Sequence, residues 1–363
     1  MNDPHYYCVI MAGGVGSRFW PVSRESRPKQ FLRLSFSHKS MIRMTYDRVC
    51  DIIPRENIIV VTMERYRDLV LQELPELPKG NLLMEPYSRN TASCIAYATY
   101  TILKRDPKAV VLVTPSDQII EDVERFHTTA LTGLDYAATH DVLLTLGVLP
   151  KRPDTNFGYI QIDGPMIVSR PVKVKTFTEK PGKELAQVFV DSGEFLWNAG
   201  IFIWQASVIA RELEDCVPEL ADQWEGWEEF ISTPSERESL ERIYPDMPRT
   251  SIDYAVMEKS SRVMAIPSFF DWIDLANWES LYDYFAIRDT DGNAVRVEGD
   301  CLLRENEGTI VLSSSKGKLT AIKGLKDYMV LDLDDVLLIC PRDEVRLKEF
   351  LSELAMPQFE KYK

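Results

Sequence analysis

The chain has 363 residues, 45% of them hydrophobic and 27% charged, with a formal net charge of −14 and a pI near 4.9. That length suits two domains with a sizeable core, and that composition an ordinary globular protein. The acidic balance excludes a general polyanion binder such as a protein that coats nucleic acid, so an anionic ligand must be met by a local cluster of cations.

In chain order, a first strand is expected at "YYCVIM" (Tyr6–Met11), running directly into Gly13, Gly14 and Gly16. Helical spacing follows over Met41–Ile53, a strand over Asn57–Thr62, and helices over Glu64–Leu74 and Asn90–Lys104. Strands at Ala109–Thr114 and Asp141–Val148 then flank a helix over Ile119–Thr139. Strands that are apolar throughout, alternating with helices, imply an α/β fold whose parallel sheet is covered on both faces. Further strands are expected around Gly158–Ile162, Val172–Thr178 and Gly200–Trp204. Arg211–Lys259 reads as largely helical, with Trp224 and Trp227 as packing residues.

Beyond about Asp289 the texture changes to short apolar pairs separated by Gly, Asp, Asn and Ser. Such spacing suggests a small β-domain, a few coils of a β-helix, closed by the amphipathic segment "PRDEVRLKEFLSEL". The expected domains are therefore 1–288 and 289–363.

Six scattered cysteines form no CxxC pair and read as reduced thiols, and four distant histidines offer no zinc spacing. The chain opens on no signal-peptide pattern and holds no apolar run near the roughly 18 residues that a membrane span needs. A cytoplasmic protein without membrane contact is expected.

The loop after the first strand, "MAGGVGSRFWPVSRESRPKQF" (Met11–Phe31), carries Arg18, Arg24, Arg27 and Lys29 against a single acid, Glu25. Glycines leaving a strand let backbone N–H groups approach phosphate oxygens. The dinucleotide pattern fails, because its third glycine would fall on Phe19, and the P-loop pattern fails for want of Gly-Lys-Ser/Thr. Arg18 and Lys29 sit where a phosphate chain needs neutralising. Both are read as surface-loop charges whose removal spares the fold, while Arg24 and Arg27 can equally be solvated loop charges.

This loop resembles the G-G-x-G-x-R-x-x-P-x(6)-P-K signature of sugar-1-phosphate nucleotidyltransferases, in the form used by the mannose-1-phosphate guanylyltransferase branch. "EPYSRNTA" (Glu85–Ala92), "TPSDQII" (Thr114–Ile120), "TLGVLPKRPDTNFGYI" (Thr145–Ile160) and "FTEKP" (Phe177–Pro181) are similar to that branch in order. So are "LWNAGIF" (Leu196–Phe202), "SIDYAVMEK" (Ser251–Lys259) and "WIDLANW" (Trp272–Trp278).

The resemblance implies a Rossmann-like mixed, mainly parallel sheet and a short left-handed β-helix. It also implies transfer of GMP from GTP to mannose 1-phosphate with Mg²⁺ or another divalent cation. It assigns Arg18 and Lys29 to catalysis; Ala12, Gly13, Gly14, Gly16, Glu85, Pro86, Asn90 and Asp117 to the nucleotide; and Gly147, Glu179, Lys180 and Asn198 to the sugar phosphate. Asp117 and Asp274 are the implied metal ligands. Gln118 stands where the family usually has His, and Ala276 where it has Gly. Asp253 stays outside this set, readable equally as an acid near a helix start. Analogy alone suggests a homodimer, and the chain's length is expected to leave no room for the isomerase fused to longer relatives. Two alternatives stay open: another hexose or heptose phosphate as substrate, or a catalytically silent nucleotide-sugar sensor.

Overall fold

The computed structural model describes residues 3–14, 16–34, 38–285, 289–353 and 356–362. It forms two compact units, one of Met1–Gly13 with Ile42–Trp272 and one of Gly14–Met41 with Ile273–Lys363. The boundary expected at 288/289 abuts residues 286–288, which, like Val15 of the glycine loop, lie outside the described residues.

In the first unit the strands are β1 (Tyr6–Met11), β2 (Ile58–Met63), β3 (Leu82–Glu85), β4 (Val110–Pro115), β5 (Gln118–Ile120), β6 (Leu143–Val148), β7 (Tyr159–Ile162), β8 (Val172–Thr178), β9 (Phe195–Gln205) and β10 (Val263–Ser268). The helices with which they alternate include α1 (Met41–Cys50), α2 (Arg67–Glu73), α3 (Asn90–Arg105), α4 (Val123–Ala137), α5 (Lys183–Ser192) and α6 (Ala206–Cys216). Nine strands make one sheet in the order β3-β2-β1-β4-β9-β6-β10-β8-β7.

β3, β2, β1 and β4 run parallel, and β10 runs parallel to β6. β9 is antiparallel to both β4 and β6, so the sheet is mixed. β8 is likewise antiparallel to β10. Apolar runs report burial on both faces but not strand direction, which is why they point to a parallel sheet without marking β8 and β9 as the exceptions. Period-two alternation sends Tyr7 and Val9 of β1 into the cluster that holds Ala92, Ile95 and Tyr97 of α3, and turns Cys8 and Ile10 to the opposite face.

Two element expectations are corrected. The segment 119–122 is not helical: Gln118–Ile120 is extended and buried, and α4 starts only at Val123, where the Asp122 side chain accepts from the Arg125 N–H. The region after α6 is a set of short helices interrupted by Pro218, Gly226, Pro234 and Pro245. Trp224 is buried there against Tyr97, Tyr100 and Phe230, with Trp227 half-buried beside Tyr100.

In the second unit β11 (Trp272–Asp274) leads to α10 (Trp278–Tyr284); α7 (Pro218–Ala221), α8 (Trp227–Phe230) and α9 (Glu236–Ile243) belong to the first unit. β12 (Ala294–Val297), β13 (Asp300–Arg304), β14 (Ile310–Ser313), β15 (Leu319–Lys323), β16 (Tyr328–Asp332) and β17 (Leu337–Pro341) follow, then α11 (Glu344–Glu353). β12, β14 and β16 stack in parallel, and β13 pairs in parallel with β15. From β12 to β16 each strand thus meets the one two places on, as in a coil that returns over itself, whereas β17 folds back antiparallel on β16. Asn293 and Asn306 are buried at the corners: the Asn293 amide donates to the Asn306 carbonyl at 2.9 Å, and the Asn306 amide to the Ile322 carbonyl at 2.9 Å.

Candidate active site

In the second unit the glycine loop is tied down from within. Gln30 Nε2 donates to the Gly14 carbonyl at 3.0 Å, and Ser23 Oγ to the Gly16 carbonyl at 2.5 Å. Gly16 has φ 65°, and a Cβ there would lie 2.5 Å from Lys29 Cβ. Only glycine tolerates both the left-handed backbone and that approach. Its absence of a side chain is what lets Lys29 sit against the loop.

Lys29 is not a surface charge. It is 5% exposed, its Nζ lies 3.2 Å from Asp274 Oδ1, and it stands 5.8 Å from the centroid of the buried Phe19 ring. A buried ammonium needs a carboxylate partner, so Asp274 is one reason Lys29 can be there. Asp274 is positioned by β11 on one side and by α10 on the other, where Asn277 and Ser280 form a capping box. Ala276 lies between them, its N–H donating to the Asp274 carbonyl at 2.8 Å. Arg18 is exposed in the short turn Ser17–Phe19. Arg24 is a structural cation, forked onto Asp335 by two hydrogen bonds of 2.6 Å.

In the first unit the carboxyl ends of β1, β2 and β4 are locked together. Ala12 N–H donates to the Val61 carbonyl, Thr62 Oγ1 to the Ala12 carbonyl, and Ser116 N–H to the Met11 carbonyl. Ligands of open α/β sheets bind at such strand ends. Glu85 closes β3 with 4% exposure, and its Oε1 accepts from the Tyr244 hydroxyl at 3.1 Å. Burial pushes its carboxyl up to about 8, and the Tyr244 hydrogen bond only partly opposes this. A Cβ on Gly13 would lie 3.4 Å from Glu85 Oε2. Pro86 follows, half-buried, and Asn90 opens α3 with φ 69° and its Oδ1 accepting from the Thr91 N–H.

A family model described as nucleotidyl transferase matches residues 7–290. The chain belongs to the nucleotidyl transferase family. A mannose-1-phosphate guanylyltransferase of Klebsiella pneumoniae is 32% identical over 98% of this chain and 76% of its own length. One of Salmonella montevideo is 35% identical over 94% of this chain and 73% of its own. A crystal structure described as a mannose-1-phosphate geranyltransferase from Thermus thermophilus matches with a TM-score of 0.85 and 29% identity, covering 97% of this chain and all of that one. The fold is the mixed α/β fold of nucleotidyl transferases, followed by a small C-terminal β-region.

The remaining candidates of this family member lie in the first unit. Asp117 is partly exposed in the turn between β4 and β5. Gln118 beside it is buried, with Nε2 donating to the Ala199 carbonyl at 2.7 Å and Oε1 buried without a partner among the described residues. No group of three or more His, Cys, Asp or Glu side chains able to hold a metal occurs among the described residues. Magnesium does not need one: it takes one or two carboxylates, with phosphate and water completing its shell. Asp117 in the first unit and Asp274 in the second each offer the hard carboxylate oxygens that such an ion takes.

Glu179, Lys180, Asn198 and Gly147 stand around β6, β7 and β9. The Glu179 side chain is 6% exposed and paired at 2.5 Å with Nζ of Lys180, whose own side chain is 52% exposed, so the carboxylate is buried while the lysine faces solvent. Glu179 Oε2 lies so close over Gly158 that a Cβ would collide with it. Gly147 is needed for packing, since a Cβ there would come within 2.7 Å of Leu196 Cδ1 at the β6–β9 irregularity. Sequence reasoning did not find Gly158, Tyr244 or Thr145. Only the Gly-Tyr pair at 158–159 gave any local signal, and it reads as a strand start.

Proposed function

We propose that the protein transfers GMP from GTP to mannose 1-phosphate, giving GDP-mannose and pyrophosphate. What supports this most is the likeness to mannose-1-phosphate guanylyltransferases along 98% of the chain. A phosphate oxygen of mannose 1-phosphate attacks the α-phosphorus of GTP. The bond to the bridging oxygen breaks, and pyrophosphate leaves with the electron pair. The sugar phosphate is itself the nucleophile, so the residues supply position and charge.

In this reading Ala12, Gly13, Gly14 and Gly16 carry the triphosphate, Arg18 offsets the departing pyrophosphate and Lys29 the phosphates at the reacting centre. Glu85, Pro86 and Asn90 line the guanine pocket, with the Glu85 carboxylate accepting from guanine N–H groups. Glu179, Lys180, Asn198 and Gly147 hold the sugar phosphate. A magnesium ion held by Asp117 and Asp274 would polarise the α-phosphate when bound. We also infer a catalytic domain over 1–288, a left-handed β-helical coil over 289–363, a homodimer and a cytoplasmic location. Among the described residues no helix is long and apolar enough to cross a membrane.

The test is a pyrophosphate-release assay with GTP, Mg²⁺ and a panel of sugar 1-phosphates. Release only with mannose 1-phosphate or a close analogue is expected, with UTP, dTTP and ATP poorer than GTP. Equal rates with UTP and glucose 1-phosphate would overturn the reading.

A further inference from the structure

The amide of Asn198 is held from three sides. Its Oδ1 accepts from Thr145 Oγ1 at 2.8 Å and from the Gly200 N–H at 3.1 Å, which uses both lone pairs. Its Nδ2 donates one hydrogen to Asp253 Oδ1 at 2.8 Å. The backbone N–H of Asn198 is spent on the Gly158 carbonyl at 2.8 Å. One amide N–H is left without a partner among the described residues. The oxygen and nitrogen ends of an asparagine amide are nearly equal in shape, so an unheld side chain presents either one. Here two donors face the oxygen and one acceptor faces the nitrogen, and only one orientation satisfies all three.

We infer that Asp253 and Thr145 are positioning residues that fix Asn198 as a single-hydrogen donor to an oxygen acceptor of the sugar phosphate. This rests on the reading of Asn198 as a sugar-phosphate contact. Neither residue touches the substrate in this account. Thr145 is fully buried on β6, and Asp253 opens the helical turn Asp253–Met257. The three converge where β9 kinks at Gly200, φ 67°, opposite the irregularity in β6. That kink places the Gly200 N–H on the same oxygen as Thr145. The partly buried Asp253 carboxyl is pushed up to about 6 by loss of hydration, with Glu179 adding to the effect. A carboxyl kept in so unfavourable a place is consistent with a task beyond solvation.

Steady-state kinetics of five single variants and one double variant tests the inference. Thr145→Val keeps the shape and removes one donor to Oδ1, and Asp253→Ala removes the acceptor of Nδ2. Each should raise KM for mannose 1-phosphate about tenfold, the worth of one hydrogen bond, and leave KM for GTP unchanged. Asp253→Asn, which keeps an oxygen acceptor, should restore KM to within about threefold. Asn198→Asp, which replaces the donor by an acceptor, should cost more than Asn198→Ala. Adding Thr145→Val to Asn198→Ala should change nothing further. An unchanged KM in Thr145→Val or Asp253→Ala, with a raised one in Asn198→Ala, overturns the positioning role and spares the sugar contact. An unchanged KM in Asn198→Ala removes both. Equal losses for both substrates, together with a lowered Tm, would mark a structural role and overturn the inference. If Asp253→Ala does not fold, Thr145→Val and Asp253→Asn decide.

Discussion

Burial sets the terms on which Glu85 can read a base. Its carboxyl is pushed up to about 8 with the Tyr244 hydroxyl already on Oε1. A protonated acid keeps one acceptor oxygen but turns the other into an O–H donor, which opposes one of two guanine N–H groups, so the ionised form binds better. At pH 7 only about one molecule in ten is ionised, and ionising the rest costs about 1.4 kcal/mol. Affinity for GTP should therefore rise about tenfold between pH 7 and pH 8.5 and level off above that. Calorimetry across this range measures it, and titrations in buffers of different ionisation enthalpy should show close to one proton released per GTP at pH 7.

Glu85→Gln supplies the control. Its affinity should be weaker and should not follow this profile, so any contribution from titration of the phosphates is read from it directly. The same shift acts on stability. The folded value lies above the ordinary 4.5, so the contribution is complete below pH 4.5 and is lost as pH rises through about 8. Wild type should lose Tm relative to Glu85→Gln over that window. A flat GTP affinity in wild type, or a Gln variant that tracks it, would refute the assignment of Glu85 to guanine.

Arg18→Ala and Lys29→Met should each lower turnover by roughly 10²–10³-fold, the scale for removing one preorganised charge. They should differ in stability: the exposed Arg18 costs little, whereas losing Lys29 leaves Asp274 without this cation and should cost about 1–3 kcal/mol in chemical unfolding. Asp117→Asn and Asp274→Asn should each raise the Mg²⁺ concentration for half-maximal rate. The double variant should lose much less than the two losses combined, and full additivity would refute ligation of one ion. Asn306→Ala should destabilise by about 2–4 kcal/mol, because it strands the Ile322 carbonyl and the Leu325 N–H, and turnover in the folded fraction should be unchanged.

The parts legible in the sequence are those whose cause is local. β1 was visible because six apolar residues meet a run of glycines, and Val172–Thr178 because its ends are marked by Pro171 and the charged turn after Thr178. The loop was legible as a phosphate site because its glycines and cations are neighbours in the chain. What stayed hidden depends on partners far away. Lys29 and Asp274 are 245 positions apart, and nothing near either one says that the lysine is buried. The direction of β9 was hidden because an apolar run fits a parallel or an antiparallel neighbour equally well.

The Asn198 network shows the limit most clearly. The Asn-Ala-Gly segment marks a bend, and Gly200 with φ 67° is that bend. The polarity of the amide is set by the Gly200 N–H two positions on and by a carboxylate 55 positions after it, and a hydroxyl 53 positions before it braces the oxygen end. A motif can therefore place a residue at the sugar phosphate while leaving open whether it gives or takes a hydrogen bond. That choice is made by the neighbours the fold brings in, and removing the hydroxyl of Thr145 without changing its shape is the perturbation that isolates it.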